Sequence, residues 1–269
     1  MNPTGVVQWP CEAIWQAIEP GLPGFTVEVL PEIDSTNAEL MRRVQAGCSE
    51  PVLLVAEHQS AGRGRLGRQW HGSQGANGPG TLTFSLGLAL APQDWSGLSL
   101  AVGVSLAQSL HPDILLKWPN DLWWRGRKLA GILMETVTVA HATGSRYVVV
   151  GVGLNIQRPE VAGLATEPAG LTELLPQLDA AQALGRIAGP LVQSIRVFEQ
   201  RGFAPFQADF NARDALAQRA VSLSDGTQGV AQGVDAQGVL RVQSEAGLQR
   251  VISAEVSVRP TPASGLAVF

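Results

Sequence analysis

The chain has 269 residues, 45% hydrophobic and 16% charged, which is enough apolar surface for one large core and a smaller one. Nineteen basic against 23 acidic side chains leave a net charge of −4, so any basic cluster serves a local task rather than a bulk nucleic-acid surface. Two cysteines and four scattered histidines exclude a disulfide framework or a structural zinc site, and no signal peptide or run of ~18 apolar residues argues against a cytoplasmic protein.

Residues 1–30 are punctuated by proline and glycine, with Trp9 and Trp15 as expected packing anchors. The segment IDSTNAELMRRVQAG at 33–47 predicts a helix, with Thr36 and Glu39 spaced as a capping box and Gly47 as its stop. VLLVA at 52–56 predicts a buried strand, and the glycine-rich stretch after it a loop. TLTFSLGLAL at 81–90 alternates leucine and phenylalanine on one face and predicts a strand. Leu98, Val102, Leu106 and Leu110 predict a helix over 97–110. Strands are expected at 113–118 and 128–139, joined by a PNDLWWRGR turn, and again at 146–156. Leu184, Ile187, Leu191, Ile195 and Phe198 mark an amphipathic helix ending near Gly202.

After about residue 217 the pattern changes to short strands between Gly/Asp turns, which predicts a small all-β barrel of about 45 residues. The expected organisation is a short N-terminal segment (1–30), an α+β catalytic domain with a mixed sheet (31–215), an SH3-like β-barrel (216–260) and a fraying tail (261–269).

Residues 62–67 read Gly-Arg-Gly-Arg-Leu-Gly and so satisfy the G-x-G-x-x-G string of a dinucleotide site. That reading requires a helix immediately afterwards, so that phosphate meets its N-terminus, and QWHGSQGANGPG cannot supply one. Arg63, Arg65 and Arg68 instead offer three guanidinium groups on a loop whose glycines let backbone approach a ligand. Guanidinium matches phosphate oxygens in bidentate fashion and keeps its charge, so the loop suits a nucleotide phosphate or an acyl phosphate. A solvated basic loop is the bland alternative, and Trp70 after it is by itself as consistent with a core residue.

The second cluster is Lys117-Trp-Pro-Asn-Asp121, followed by Lys128. Asn120 and Asp121 form a turn after the proline, and a hairpin would bring Asp121 and Lys128 to one site. The lysine could neutralise a carboxylate or phosphate while the aspartate holds its ammonium or helps position magnesium. A turn with no further role is the alternative.

Taken together, IDSTN at 33–37, GRGRLGRQW at 62–70, KWPNDLWW at 117–124, GRKLAGIL at 126–133 and GVGLN at 151–155, followed by the terminal small barrel, resemble biotin–protein ligases over about residues 30–260. The resemblance implies that Ser35, Thr36, Asn37 and Gln59 contact biotin, with Arg63, Gly64 and Arg65 in the loop that closes over it. It implies that Lys128 meets the biotin carboxylate and then the adenylate phosphate, with Asp121 and Asn120 ordering that lysine and the metal–phosphate end. Arg65, Arg68, Trp70, Asn120, Asn155 and Arg259 are implied to lie near the nucleotide. Leu66 departs from members that carry a third arginine there. About 30 residues before IDSTN are too few for the helix-turn-helix domain of the repressor members, so the monofunctional form is expected.

The implied reaction uses biotin and ATP as substrates with Mg²⁺ and needs no protein nucleophile. Biotin carboxylate attacks the α-phosphorus, and a lysine of a biotin carboxyl carrier protein of acetyl-CoA carboxylase then displaces AMP. Arg63, Lys128 and Asp121 are the implied catalytic residues, with no certain protein ligand for the metal. A lipoate or octanoate ligase or transferase of related fold is the nearest alternative, and a nucleic-acid-binding module the more distant one. Neither nucleic acid nor membrane is an expected partner, and the chain is expected to be a monomer or a homodimer.

Overall fold

A computed structural model describes residues 7–75, 78–138, 144–161, 166–252 and 258–260; the 261–269 tail expected to fray lies outside them. In chain order the elements are α1 (Cys11–Ile18), β1 (Thr26–Ile33), α2 (Thr36–Gln45), β2 (Val52–Gln59), β3 (Gln74–Gly75), β4 (Gly78–Pro79) and β5 (Thr81–Leu90). They continue with α3 (Leu98–Leu110), β6 (Leu115–Lys117), β7 (Asp121–Trp124), β8 (Arg127–Thr138), β9 (Arg146–Asn155), α4 (Ala180–Arg201) and α5 (Gln207–Ala212). Five strands follow: β10 (Ala220–Leu223), β11 (Gln228–Val234), β12 (Leu240–Ser244), β13 (Gly247–Val251) and β14 (Val258–Pro260).

The large sheet has seven strands in the order β1-β2-β5-β9-β8-β7-β6. β1 and β2 run parallel with α2 as their crossover, and the other neighbours are antiparallel, which makes the sheet mixed as expected. Successive strand residues point to opposite faces, so two sets of side chains emerge from each strand. On one face Leu53 and Val55, the leucines and Phe84 of β5, and Val148, Val150 and Val152 of β9 join α1, α3 and α4 in the main core. On the other face Leu54, Tyr147 and Val149 pack beneath Leu40 and Val44 of α2. This second face extends past α2 with the small or polar residues of β5 and β9, and there the site is built.

Several elements depart from the sequence expectations. The sheet begins at Thr26, within the segment expected to precede the catalytic domain, and α1 buries Ile14 and Ile18 against its core. Trp9 packs on the core and donates to Glu57 at 2.9 Å, but Trp15 is 41% exposed and lies outside the core. The cap of α2 is Ser35, whose hydroxyl accepts from the Ala38 N–H; Thr36 already lies inside the helix. Glu39 turns away to Arg42 and Arg43, so the expected capping box does not form. The strand at 52–56 runs on to Gln59, and the presumed PNDLWWRGR turn contains β7, giving two hairpins where one was expected. Trp123 and Trp124, expected within the turn, are buried residues of β7. Helix α3 is buried on almost every side, so a stripe at Leu98, Val102, Leu106 and Leu110 understates its contacts.

The C-terminal strands pair antiparallel in the order β13-β12-β11-β10-β14. Among the described residues β13 and β14 are its two edges, so the SH3-like unit forms a five-stranded antiparallel sheet with no closing pair among those residues. It packs into the main core through Val221, Leu223, Ala231, Val234 and Leu240, and the buried Trp118 indole donates to Gly238 O at 3.1 Å.

Candidate active site

The residues singled out from the sequence as site residues line one cleft of about 560 Å³ on the polar face of the large sheet, the side chain of Arg259 lying outside what the structure describes. Arg259 pairs through its backbone with Ser222, and neighbouring Pro260 reaches the cleft edge.

One end of the cleft is the first turn of α2. Gln59, the last residue of β2, accepts from the Thr36 N–H at 2.8 Å and from its hydroxyl at 3.1 Å. Asn37 donates to Glu135 at 2.9 Å, while the Ser85 hydroxyl lies 2.6 Å from Asn37 Oδ1 and 2.7 Å from Thr36 Oγ1. With one proton, Ser85 can donate to only one of these oxygens at a time. Ser35, Thr36, Asn37 and Ser85 are all buried. A buried polar cluster of this kind suits a ligand that both donates and accepts. Just ahead of it, Arg42 grips Asp34 in a bidentate pair and holds that carboxyl down at about 2, which fixes the approach of the chain into α2.

The floor is set by glycines. A Cβ on Gly151 would stand 2.1 Å from Asn37 Oδ1, and one on Gly153 would stand 2.3 Å from Trp70 Cε2. Only the missing side chains of β9 let the Asn37 amide and the Trp70 indole lie flat on the sheet. The Trp70 Nε1–H is buried without a hydrogen-bond partner among the described residues, a donor left for a ligand.

The Gly-Arg loop folds over this floor as a tight turn. Gly64 N–H donates to Arg68 O at 2.8 Å and Trp70 N–H to Gly62 O at 2.9 Å, with a bridge between Arg63 and Gln69. Leu66 sits exposed at the tip in the left-handed region (φ 58°), a conformation that costs a branched side chain about 1 kcal/mol or more. Arg65 reaches inward and donates to Asn120 Oδ1 at 3.1 Å. Burial pushes its pKa down, Arg68 adding to the effect and Asp121 opposing it, so an anion beside it would be stabilising. Arg63, by contrast, is half exposed and faces the Glu135 carboxylate at 3.2 Å.

The opposite wall is the β7–β8 hairpin. Lys128 Nζ meets Asp121 Oδ1 at 2.7 Å and lies 5.8 Å from the centre of the Trp70 ring, so the hairpin brings the two residues together across the seven positions between them. Asn120 donates to Ile132 O at 2.7 Å, which locks it to β8 and makes it the support of Arg65 rather than of Lys128. Asn155 donates to the Lys128 carbonyl at 3.4 Å. Arg219, from the approach to β10, closes the rim.

Among the described residues no three of His, Cys, Asp or Glu cluster as a metal cage. Asp121 and Glu167 line the cleft, and both are held in ion pairs, with Lys128 and Arg158. The described residues therefore present no preformed cage for a divalent cation.

Glu135, Ser85, Gly151, Gly153 and Arg219 were not singled out from the sequence as site residues. For Ser85 a signal was present: Thr81, Thr83 and Ser85 alternate with the core residues of β5 and form its polar face. For Glu135 none was, because a lone glutamate late in a strand reads as solvated.

Residues 29–155 match the model of the biotin/lipoate A/B protein ligase family, and residues 220–259 match the biotin protein ligase C terminal domain. The bifunctional ligase/repressor BirA of Escherichia coli is 34% identical over 248 residues, covering 88% of this chain and 75% of that protein. The biotin–[acetyl-CoA-carboxylase] ligase of Mycobacterium tuberculosis is 37% identical over 233 residues (80% and 82% coverage). The biotin–[acetyl-CoA-carboxylase] ligase of Paracoccus denitrificans is 33% identical over 241 residues (85% and 98%). Among solved structures, the biotin protein ligase from Aquifex aeolicus in complex with biotin and ATP superposes with a TM-score of 0.72 at 26% identity, covering 87% of this chain and 99% of that one.

Proposed function

The chain belongs to the biotin protein ligase family, and from that premise we propose that it is an ATP-dependent biotin–[acetyl-CoA-carboxylase] ligase. It forms biotinyl-5′-AMP and passes the biotin to a lysine of a biotin carboxyl carrier protein, a task for the cytoplasm. The observation that carries the reading is the polarity of the cleft. A buried amide–hydroxyl network lies at one end, Lys128 and Arg65 lie at the other, and one glycine-floored channel joins them.

A ureido ring, with two N–H donors and one carbonyl, fits the network of Ser35, Thr36, Asn37 and Gln59. The valeryl chain then runs past the Asn37 amide and the Trp70 indole that sit on Gly151 and Gly153, and the carboxylate arrives beside Lys128. ATP, brought with magnesium as substrate, lies along Trp70, Arg65 and Arg68, with Asn120, Asn155 and Arg259 supporting that end. Lys128 and Arg65 hold carboxylate and α-phosphate together against their mutual repulsion, so positioning and charge neutralisation supply the rate. A carboxylate oxygen bonds to phosphorus and pyrophosphate leaves. The loop at 62–70, with Arg63 and Gly64, then shields the anhydride from water. In the second step the amine of the carrier lysine bonds to the acyl carbon and AMP departs, with no protein nucleophile. Asp121 holds the Lys128 ammonium throughout. We assign the catalytic unit to about 31–215 and the C-terminal unit to 216–260.

Pyrophosphate release with magnesium–ATP and biotin, lipoate, octanoate or no acid tests the reading. Release with biotin alone is expected. Release with lipoate or octanoate in its place would move the chain to the other branch of the same family.

A further inference from the structure

Glu135 stands two positions beyond Leu133 on the cleft face of β8, outside the ring of residues that contact the channel. Its two carboxylate oxygens face different partners. Oε2 accepts from the Asn37 amide at 2.9 Å, and Oε1 faces the Arg63 guanidinium at 3.2 Å. Asn37 is buried at the floor, whereas Arg63 is half exposed on the loop. One side chain of the sheet thus joins the first turn of α2 to the Gly-Arg loop.

We infer that Glu135 is a positioning residue that latches the Gly-Arg loop over the cleft through Arg63, and that its link to Asn37 couples loop closure to occupation of the ring pocket. The inference rests on the ligase reading for its substrate but not for the latch itself. Opening the loop breaks an ion pair at the cleft rim, and a ligand that pins Asn37 also fixes the carboxylate to which Arg63 docks. The latch is weak by construction, because Arg63 is half exposed and solvent screens the pair. A weak latch suits a loop that opens in each turnover: a partly exposed pair biases closure by a factor of a few, not by orders of magnitude.

Glu135→Gln separates the two links, since the amide carbonyl still accepts from Asn37 while the amide nitrogen cannot accept from Arg63. In the substrate-free protein, hydrogen exchange of the Gly64, Arg68 and Trp70 amides, all bonded within the loop, should quicken about two- to fivefold in this variant. Arg63→Ala should give the same acceleration, and the double variant no more than either. The biotin KM in pyrophosphate release should rise by a similar factor, and by more than kcat falls. Loop exchange unchanged in Glu135→Gln, or accelerations that multiply in the double variant, would overturn the latch. Because exchange is read without substrate, a wild-type protein inactive with biotin would sink the ligase reading and leave the latch standing.

Discussion

Substituting Gly151 by alanine aims a steric probe at one side chain. The added methyl carbon would stand 2.1 Å from Asn37 Oδ1, far inside van der Waals contact, so one of them has to move. β9 is paired on both sides, with β5 and β8, and cannot retreat. The amide of Asn37, at the end of a rotatable side chain, therefore yields. Rotating away, it loses the contact with Ser85 Oγ at 2.6 Å and the bond to Glu135 at 2.9 Å. Forced repacking of this size costs about 1–3 kcal/mol of fold stability. Biotin in turn loses a partner in a buried site, and a buried hydrogen bond left unmade costs about 1–3 kcal/mol, roughly a five- to 150-fold rise in KM. The assay is pyrophosphate release against biotin concentration at saturating magnesium–ATP, with urea unfolding of the same sample to separate the two effects. The expected result is a raised biotin KM with the ATP KM little changed. A folded Gly151→Ala protein whose biotin KM stays within about twofold of wild type would refute the placement of Asn37 against the ring.

Ser85→Ala removes the hydroxyl that bridges Thr36 and Asn37 and should cost about 1–2 kcal/mol in urea unfolding while raising the biotin KM; unaltered values would show that the bridge contributes nothing. Arg65→Ala should weaken the hold on the adenylate phosphate by about 1.5–3 kcal/mol, roughly 10- to 150-fold, measured as biotinyl-AMP escaping through a filter that retains protein. Asp214 bears on pH. Burial raises its carboxyl to about 6 against an ordinary 3.8, and its Oδ2 has no hydrogen-bond partner among the described residues. A raised folded-state pKa means that its contribution to stability is fully present below about pH 4 and is lost as pH rises through about 6. Asp214→Asn, which cannot ionise, should therefore unfold at higher urea than wild type at about pH 8, by about 3 kcal/mol. The gap should shrink toward about pH 4, and a difference independent of pH would contradict the assignment.

The parts of the fold legible in the sequence are those where one periodicity dominates. β5 declares itself because its core face is uniformly leucine and phenylalanine, and α4 because its stripe persists to a Gly202 stop. β1 is hard to read because its TVEVLPEI is half exposed at the sheet edge, and the alternation of Val27 and Val29 breaks off at Leu30 and Pro31. β7 was missed because four residues between two turns are too few to show a period, and only pairing with β6 and β8 makes them a strand. The α2 cap was misplaced by one residue for a functional reason. Thr36 has the right spacing to Glu39, but its hydroxyl is drawn into the cleft by Gln59 and Ser85, which leaves Ser35 to cap.

The site was legible as a set of motifs but not as a geometry. Lys128 and Asp121 were recognisable as partners because a hairpin connects them locally. Gly151 and Gly153 carry no chemistry of their own, and their meaning emerges only when α2 and the loop deliver Asn37 and Trp70 onto β9 from more than 80 residues away. Glu135 is the limiting case. It acts through two neighbours, Asn37 and Arg63, that lie 98 and 72 positions from it along the chain. Residues that touch a ligand leave a composition signature, because chemistry restricts their type. Residues that hold those residues leave only a spatial one: in this cleft Glu135 and Ser85 hold Asn37, and Asn120 holds Arg65.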